Sequence, residues 1–487
     1  MQIFNSLSQT KEKLEDVITG KKVRLFVCGP TVYHDAHIGN ARTYISFDII
    51  ARYLRSAGFR VYYLQNITDI DDKIIRRSAA ENTTPQALAK KYEKIYHEDE
   101  KKLGIISVNK YARATSYIKQ IVKQVQTLID KGHAYKIDDG YYFDLSTFPD
   151  YGKLARRTVL QAEDSTSRID ENPNKKNRGD FVLWKFSSAQ GGSSSGGKEG
   201  AAPTGGEPRP EAGREPSWNT KLGSGRPGWH IEDTAITEYQ FGPQYDIHGG
   251  AIDLKFPHHE AEIAQQEAAS GKKPMVKIWM HAGFLNIGGE KMSKSFGEFV
   301  TIREFLEKHS ALVLRFMVAS HHYRAPMDYS EALLRQSKNT LLNLMGFLGK
   351  LEMARGSAKA LAAEELVKKM AEEFQAAMQD DFNTPEALAA IFSLINQFQK
   401  SVWELDKKSA KLITKSIVSS LEVLGLELPK VKIPSQIQKK VKERELYRGN
   451  AQFIPADTLR QEIEALGYTV DDTPRGPLVL PREITNS

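Results

Sequence analysis

A chain of 487 residues is too long for one compact domain and suits three or four. Hydrophobic residues make up 40% and charged residues 26%, an ordinary globular balance that excludes fibrous or wholly disordered classes. The net charge of +7 suits a polyanionic partner, and the single cysteine excludes an internal disulfide. That cysteine usage predicts a reducing, cytoplasmic setting. A polar N-terminal stretch and the lack of any run of about 18 apolar residues predict neither an export signal nor a membrane span.

Val23 to Val27 reads as a buried strand that ends at Cys28 and a Gly29-Pro30 turn. His37-Ile38-Gly39-Asn40 then reads as a helix entrance, followed by a helix over 41–57 that puts Phe47, Ile50 and Leu54 on one face and stops at Gly58. Val61 to Leu64 is the next strand, which predicts a parallel βαβ unit with Asn66 to Lys73 on the same rim as Cys28. An amphipathic helix over Ile118 to Ile129 precedes a hairpin around Asp138-Asp139-Gly140 and a strand at Phe181 to Phe186. The Gly/Ser/Pro-rich stretch 187–216 is too poor in bulky apolar residues to offset chain entropy and is expected to be a disordered loop. Phe256 to Glu262 opens a helix, Val276 to Phe284 reads as a strand, and Glu290 to Gly297 as an exposed basic loop. Helical patterns follow from Glu331, including 360–378, 385–406 and 412–424, then a basic stretch over 430–444. The chain ends in a short helix and a hairpin around Pro474-Arg475-Gly476.

Three groups of residues carry chemistry. At a helix N-terminus the unpaired N–H groups and the dipole favour phosphate, so His37 to Asn40 is either an anion site or a capped core helix. Lys291-Met292-Ser293-Lys294-Ser295 places two lysines three apart on a loop. They reach one triphosphate, or they belong to a solvated basic face. His258 and Glu262, four apart on a helix, with Cys28 offer nitrogen, oxygen and sulfur donors of the kind zinc accepts; a buried inert cysteine is the alternative.

Together His37 to Asn40 and Lys291 to Ser295 resemble the two signatures of class I aminoacyl-tRNA synthetases. Val27 to Arg42, Asn66 to Arg76, Gly225 to Glu232, Asp246 to Glu262, Trp279 to Gly297 and Asp380 to Pro385 narrow the resemblance to the cysteinyl-tRNA synthetase family. The resemblance implies an α/β fold. Its catalytic domain is Rossmann-type with a parallel sheet (1–112 and 216–300), carries an inserted connective domain (113–215) and is followed by a stem-contact region (301–330). An α-helical bundle (331–430) and a small C-terminal anticodon-binding domain (431–487) complete it. It implies ATP-dependent activation of L-cysteine to cysteinyl-adenylate and transfer to the 3′ end of tRNA(Cys), with Mg2+ accompanying ATP and no membrane partner; a monomer is expected. His37, Asn40, Lys291 and Lys294 are the implied catalytic residues. His37, Gly39, Asn40, His248, Gly249, Gly250 and Lys294 are implied near ATP, and Thr68, Trp229 and Asp253 in the amino-acid pocket.

The family pattern also implies one Zn2+ held by two cysteines, a histidine and a glutamate. Cys28, His258 and Glu262 match three of these, and Asp233 stands where the family has its second cysteine. Carboxylate for thiolate keeps the formal charge of the site, so a Cys28–Asp233–His258–Glu262 zinc site is expected; a metal-free site with Asp233 as a hydrogen-bond acceptor is the alternative. The same residues leave two rivals open, a ligase that hands activated cysteine to an amino-sugar and a non-catalytic tRNA-binding relative. Lys439, Lys440, Lys442, Arg444 and Arg448 are the expected source of charge for the tRNA backbone.

Overall fold

The computed structural model describes residues 1–157, 172–187, 215–288, 290–291, 300–357, 361–430 and 432–484. The expected loop 187–216 therefore falls almost wholly outside the described residues.

The strand Lys22–Val27 sits in the middle of a five-stranded parallel sheet ordered Val276–Ala282, Tyr245–Ala251, Lys22–Val27, Arg60–Ile67, Lys110–Arg113. Both faces are covered, which is why Val23, Leu25, Phe26 and Val27 are all buried and the sequence shows no alternation. From Lys22–Val27 the chain builds outward on one side through Arg60–Ile67, and returns much later on the other side as Tyr245–Ala251. The order reverses between these neighbours, so the crevice for ligands opens at their C-terminal ends, at Cys28 and Ala251.

The helix that follows the first strand runs Ile38–Ser56, three residues earlier than the apolar pattern alone indicates. His37 and Asn40 form a capping box, which recruits Ile38 to Asn40 into the first turn. Ile45, Phe47, Ile50 and Leu54 lie in the main core.

The hairpin of Ala134–Ile137 and Gly140–Phe143 forms as its turn residues predict. It joins Phe181–Phe186, Gly223–Pro227 and Trp218–Thr220 in a second, antiparallel sheet. This sheet runs past the boundary expected at 215, because Gly225 to Pro227 pair with Trp184 to Phe186. The later helices are Glu331–Met353, Leu361–Gln379, Thr384–Phe398 and Lys407–Val423. The helix expected to reach 406 stops at Phe398, since Asp406 instead accepts from Ser409 N and caps the next helix. The C-terminal unit packs Ser435–Gly449 and Phe453–Ala465 against the hairpin Tyr468–Thr473/Gly476–Pro481 around Ile437, Ile463 and Val470. Among the described residues no helix is long and apolar enough to cross a membrane.

Candidate active site

A cavity of about 310 Å³ opens where the sheet topology places it. Its wall begins at Cys28 and runs through the turn to Thr31, which bridges to Thr68 at the end of the neighbouring strand. His37 and Asn40 line the other end, and Trp229, Asp233, Asp253 and His258 close it from the second half of the catalytic domain.

At the helix end, His37 Nδ1 accepts from Asn40 N at 3.2 Å and Asn40 Oδ1 accepts from His37 N at 3.2 Å. An Nδ1 that accepts puts the imidazole proton on Nε2, which makes His37 a donor toward an anion. Gly39 sits inside this first turn rather than on the cavity wall. The same end of the helix is tied to the segment after the basic loop: Ile38 N donates to Val300 O at 3.1 Å and Ile302 N to Ala36 O at 2.9 Å. One turn further in, the buried Arg42 guanidinium donates to Phe284 O and Ala325 O, and burial pulls its pKa down to about 10. Described residues on either side of 292–299 are therefore tied to the entrance helix. Lys291 lies in the strand Glu290–Lys291 that pairs with Leu285–Ile287, while its side chain and all of Met292 to Ser295, Lys294 included, fall outside the described residues.

At the sheet end, four donors converge. One ligand atom each from Cys28, Asp233, His258 and Glu262 lies within 4.8 Å of the others, and all four residues are buried. His258 and Glu262 are one turn apart on the helix His258–Ser270, and Asp233 stands in the first turn of Ile231–Phe241. His258 Nε2 is 2.9 Å from both Asp233 Oδ2 and Glu262 Oε1, and its Nδ1 meets His230 Nδ1 at 2.8 Å. Asp233 Oδ1 and Glu262 Oε2 are buried without a hydrogen-bond partner. Burial, then the Glu262 and Asp233 carboxylates, push the Cys28 thiol well up. Burial likewise lifts Glu262 to about 7. Burial would depress His258, but Glu262 and Asp233 outweigh it and raise it to about 9. Cys28, Asp233 and Glu262 bring three acidic groups within reach of His258 in a buried pocket. A divalent cation is the chemistry that fits: it supplies positive charge, gives the orphaned oxygens a partner and favours the thiolate.

The structure brings Thr68, Trp229 and Asp253 to the same cavity. Thr68 Oγ1 donates to Glu232 Oε2 at 2.9 Å, and Trp229 stacks on His258 with ring centroids 4.4 Å apart. His248 and Gly249 are corrected. His248 is fully buried behind Cys28, with Nε2 3.3 Å from Sγ and its ring stacked on Trp279 at 4.2 Å. Gly249 is backed by Phe47, whose ring a Cβ would meet at 2.3 Å, and Gly249 O accepts from Cys28 N at 3.1 Å. Neither reaches the wall, because the strand alternates and this register turns His248 toward the helix His258–Ser270. Gly250 points back as well, with a Cβ there meeting His259 at 2.9 Å. Sequence reasoning missed Tyr33, His34 and Asp35, which line the cavity, and His259, whose Nε2 lies 3.2 Å from Cys28 Sγ. The His258-His259 doublet was the available signal for the last.

In the C-terminal unit Arg444 is also corrected. It is fully buried in a bidentate pair with Asp472 at 2.7 and 2.8 Å, so its charge is spent inside the unit. Lys440 pairs with Glu462 and Arg448 with Asp472, while Lys439 and Lys442 are exposed, as are Phe453 and Ile454 of the next helix.

The family model of the class I (C) tRNA synthetase catalytic domain matches residues 14–198 and 209–339, and that of the DALR domain matches 373–429. The chain is 39% identical to the Cysteine–tRNA ligase of Thermococcus onnurineus over 98% of both chains. It is 39% identical to that of Pyrococcus abyssi over 97% of both. Methionyl-tRNA synthetase of Mycobacterium tuberculosis, solved with methionyl-adenylate, shares the fold at a TM-score of 0.58 and 17% identity, covering 84% of this chain and 90% of that one.

Proposed function

The chain belongs to the cysteine–tRNA ligase family of class I aminoacyl-tRNA synthetases, and on that premise we propose how its residues divide the work of joining cysteine to tRNA at the cost of ATP. The observation that carries the reading is one cavity with a phosphate-type helix entrance at His37 and Asn40 and a metal-type donor set at Cys28, Asp233, His258 and Glu262.

ATP lies at the helix end. His37 Nε2–H and the first-turn amides donate to phosphate oxygens, and Asn40 holds the His37 tautomer that makes this so. Lys291 and Lys294, by the resemblance, stabilise charge on the phosphoryl oxygens as pyrophosphate leaves. Magnesium arrives with ATP as part of the substrate. Cysteine lies at the sheet end among Thr68, Trp229 and Asp253. Because Cys28 and His37 line one cavity, the strand end and the helix entrance bring the amino-acid carboxylate and the α-phosphate together as neighbours.

Cys28, Asp233, His258 and Glu262 would hold one zinc ion. It would supply Lewis acidity that favours a thiolate substrate over serine, whose hydroxyl is harder and far less acidic. Shape alone separates such near-isosteres weakly. Asp233, an oxygen donor beside the Cys28 sulfur, would make that centre harder than a two-thiolate set would. The cysteinyl group then passes to the 3′ end of tRNA(Cys), whose anticodon end meets the unit after the DALR domain, with Lys439 and Lys442 toward phosphates. That unit supports a tRNA acceptor over an amino-sugar.

The test is aminoacylation of tRNA(Cys) with cysteine and with serine, with zinc measured on the same sample, for the wild type and Asp233→Asn. Zinc-dependent charging with cysteine that weakens in Asp233→Asn is expected. A zinc-free wild type that charges cysteine at full rate overturns the metal reading.

A further inference from the structure

Behind the four donors already described lies a second set that shares two of them. One ligand atom each from Cys28, His248, His259 and Glu262 also lies within 4.8 Å of the others, and all four residues are buried. His248 Nε2 is 3.3 Å and His259 Nε2 3.2 Å from Cys28 Sγ. Each imidazole is aimed by its other nitrogen: His248 Nδ1 meets Tyr245 OH at 2.7 Å, and His259 Nδ1 meets His281 Nε2 at 2.9 Å. His281 Nδ1 in turn meets Ser6 Oγ at 2.8 Å. These contacts are satisfied together when both Nδ1 atoms carry the proton, which leaves both Nε2 lone pairs directed at the sulfur. That is the arrangement that outer partners impose on metal-ligating histidines. Glu262 Oε1 lies between the two sets, 2.9 Å from His258 Nε2 and 3.9 Å from Cys28 Sγ, and Oε2 is buried without a hydrogen-bond partner.

We propose that Cys28, His248, His259 and Glu262 form a second, inner position for a thiophilic divalent cation such as Zn2+, Co2+ or Cd2+. Since the two positions share a thiolate and a carboxylate, one cation partitions between them. The inner set offers one sulfur, two imidazoles and one carboxylate. The outer set, with Asp233 in it, offers one sulfur, one imidazole and two carboxylates. Borderline and soft cations favour the richer nitrogen set, so the aspartate at 233 shifts the resting balance inward. The inner position is closed: all four ligands come from the chain, and His248 and His259 are fully buried and absent from the cavity wall. A cation there cannot reach the amino acid. Substrate cysteine adds a second sulfur at the outer position alone and draws the cation out. The protein then holds its metal in a resting place that its own substrate empties.

The inference builds on the outer-site reading, and the experiment separates the two. Zn2+- or Co2+-loaded protein is examined by X-ray absorption at the metal edge, with metal content measured, before and after saturation with cysteine. Two imidazoles and one sulfur are expected before, and one imidazole and two sulfurs after. The double variant Asp233→Asn/His258→Gln, checked for wild-type thermal unfolding, is expected to keep a full equivalent of cation with two imidazoles, and the further loss of His248 and His259 (both to Gln) to abolish binding. A single imidazole in the resting wild type, or a folded Asp233→Asn/His258→Gln protein that binds no cation, overturns the inner position. A resting wild type with two imidazoles to which cysteine adds no sulfur overturns the outer reading instead. If the double variant does not fold, the imidazole count of the resting wild type decides alone.

Discussion

Gly29→Ala tests whether the close approach of two strand ends sets the cavity. Gly29 follows Cys28 directly, and its N–H donates to Asn66 Oδ1 at 2.5 Å. A Cβ on Gly29 would lie 1.8 Å from Asn66 O, 2.9 Å from Asn66 C and 3.0 Å from Gln65 Cγ. The obstacle is backbone, so no rotamer change relieves it. Ordinary contact begins near 3.4 Å, and the ends of Lys22–Val27 and Arg60–Ile67 must therefore part by about 1.6 Å. That movement separates Cys28 from Thr68, which sit on these two ends. Overpacking of this kind costs about 1–3 kcal/mol of stability, and a displacement of about 1 Å at a reacting site costs on the order of 100-fold in rate. Cysteine-dependent ATP–pyrophosphate exchange is expected to fall by about that factor in kcat/KM, with a modest drop in Tm. Gly449→Ala is the control, since nothing lies within 4 Å of its Cβ position. A Gly29→Ala protein with wild-type exchange and wild-type Tm refutes the argument that this approach positions the site.

Arg42→Met removes the fork that holds Phe284 O and Ala325 O. Two charge-assisted hydrogen bonds are worth about 3 kcal/mol together, and because the fork ties the entrance helix to the strand before the basic loop, the KM for ATP rises as well; denaturant midpoints and exchange kinetics check both. Asp48→Ala strands the buried Arg315 guanidinium, which Asp48 Oδ2 holds at 2.7 Å. Losing one partner of such a pair costs about 3–5 kcal/mol, partly restored in Asp48→Ala/Arg315→Met, as thermal unfolding will read. His97 lies between Glu100 and Glu93, whose carboxylates lift its pKa to about 9. A pKa raised on folding stabilises fully below the unfolded value of about 6.5 and is lost as pH climbs to about 9. The Tm gap between wild type and His97→Gln is therefore widest on the acidic side and closes through that window.

The βαβ unit at the start of the chain was legible because its signals are local. Strand hydrophobicity, the Gly29-Pro30 turn and the stop at Gly58 all lie within the elements they define. The hairpin at Asp138-Asp139-Gly140 was legible for the same reason. The helix after Pro385 was overextended because the run to 406 keeps a helical composition, and only the capping of Ser409 by Asp406 shows where the chain restarts. Arg444 reads as surface charge in a basic stretch, and nothing local announces Asp472, which lies 28 residues away. The site divides likewise. Cys28, His258 and Glu262 follow from residue type and helical spacing, and Asp233 from its place in a motif. That His248 faces backward depends on the register of Tyr245–Ala251 against Lys22–Val27, where His248 stands opposite Phe26. Pairing between strands more than 200 residues apart leaves no mark in either segment.

The same division bears on position 233, where the resemblance implies a second cysteine and this chain has Asp233. Cys28 is backed by His248 and His259, and His258 and Glu262 stand one turn apart on a buried helix, so a change at any of them meets close-packed neighbours. Asp233 stands beside Glu232 in the first turn of its helix, where a carboxylate is favoured by the dipole. Its geometry is also tolerant. Zinc–oxygen bonds of about 2.0–2.2 Å are shorter than zinc–sulfur bonds of about 2.3 Å, and the carboxylate adds one bond between Cβ and donor atom. The two differences act in opposite directions, and a second oxygen lets the group choose its approach. Asp233 uses Oδ2 toward His258 at 2.9 Å and keeps Oδ1 without a hydrogen bond. Backbone placement can thus stay as it is while the donor changes from soft to hard. On the two-position proposal, the balance between the outer and inner sets then depends on this donor, and with it how strongly substrate sulfur is needed to hold the cation at the cavity.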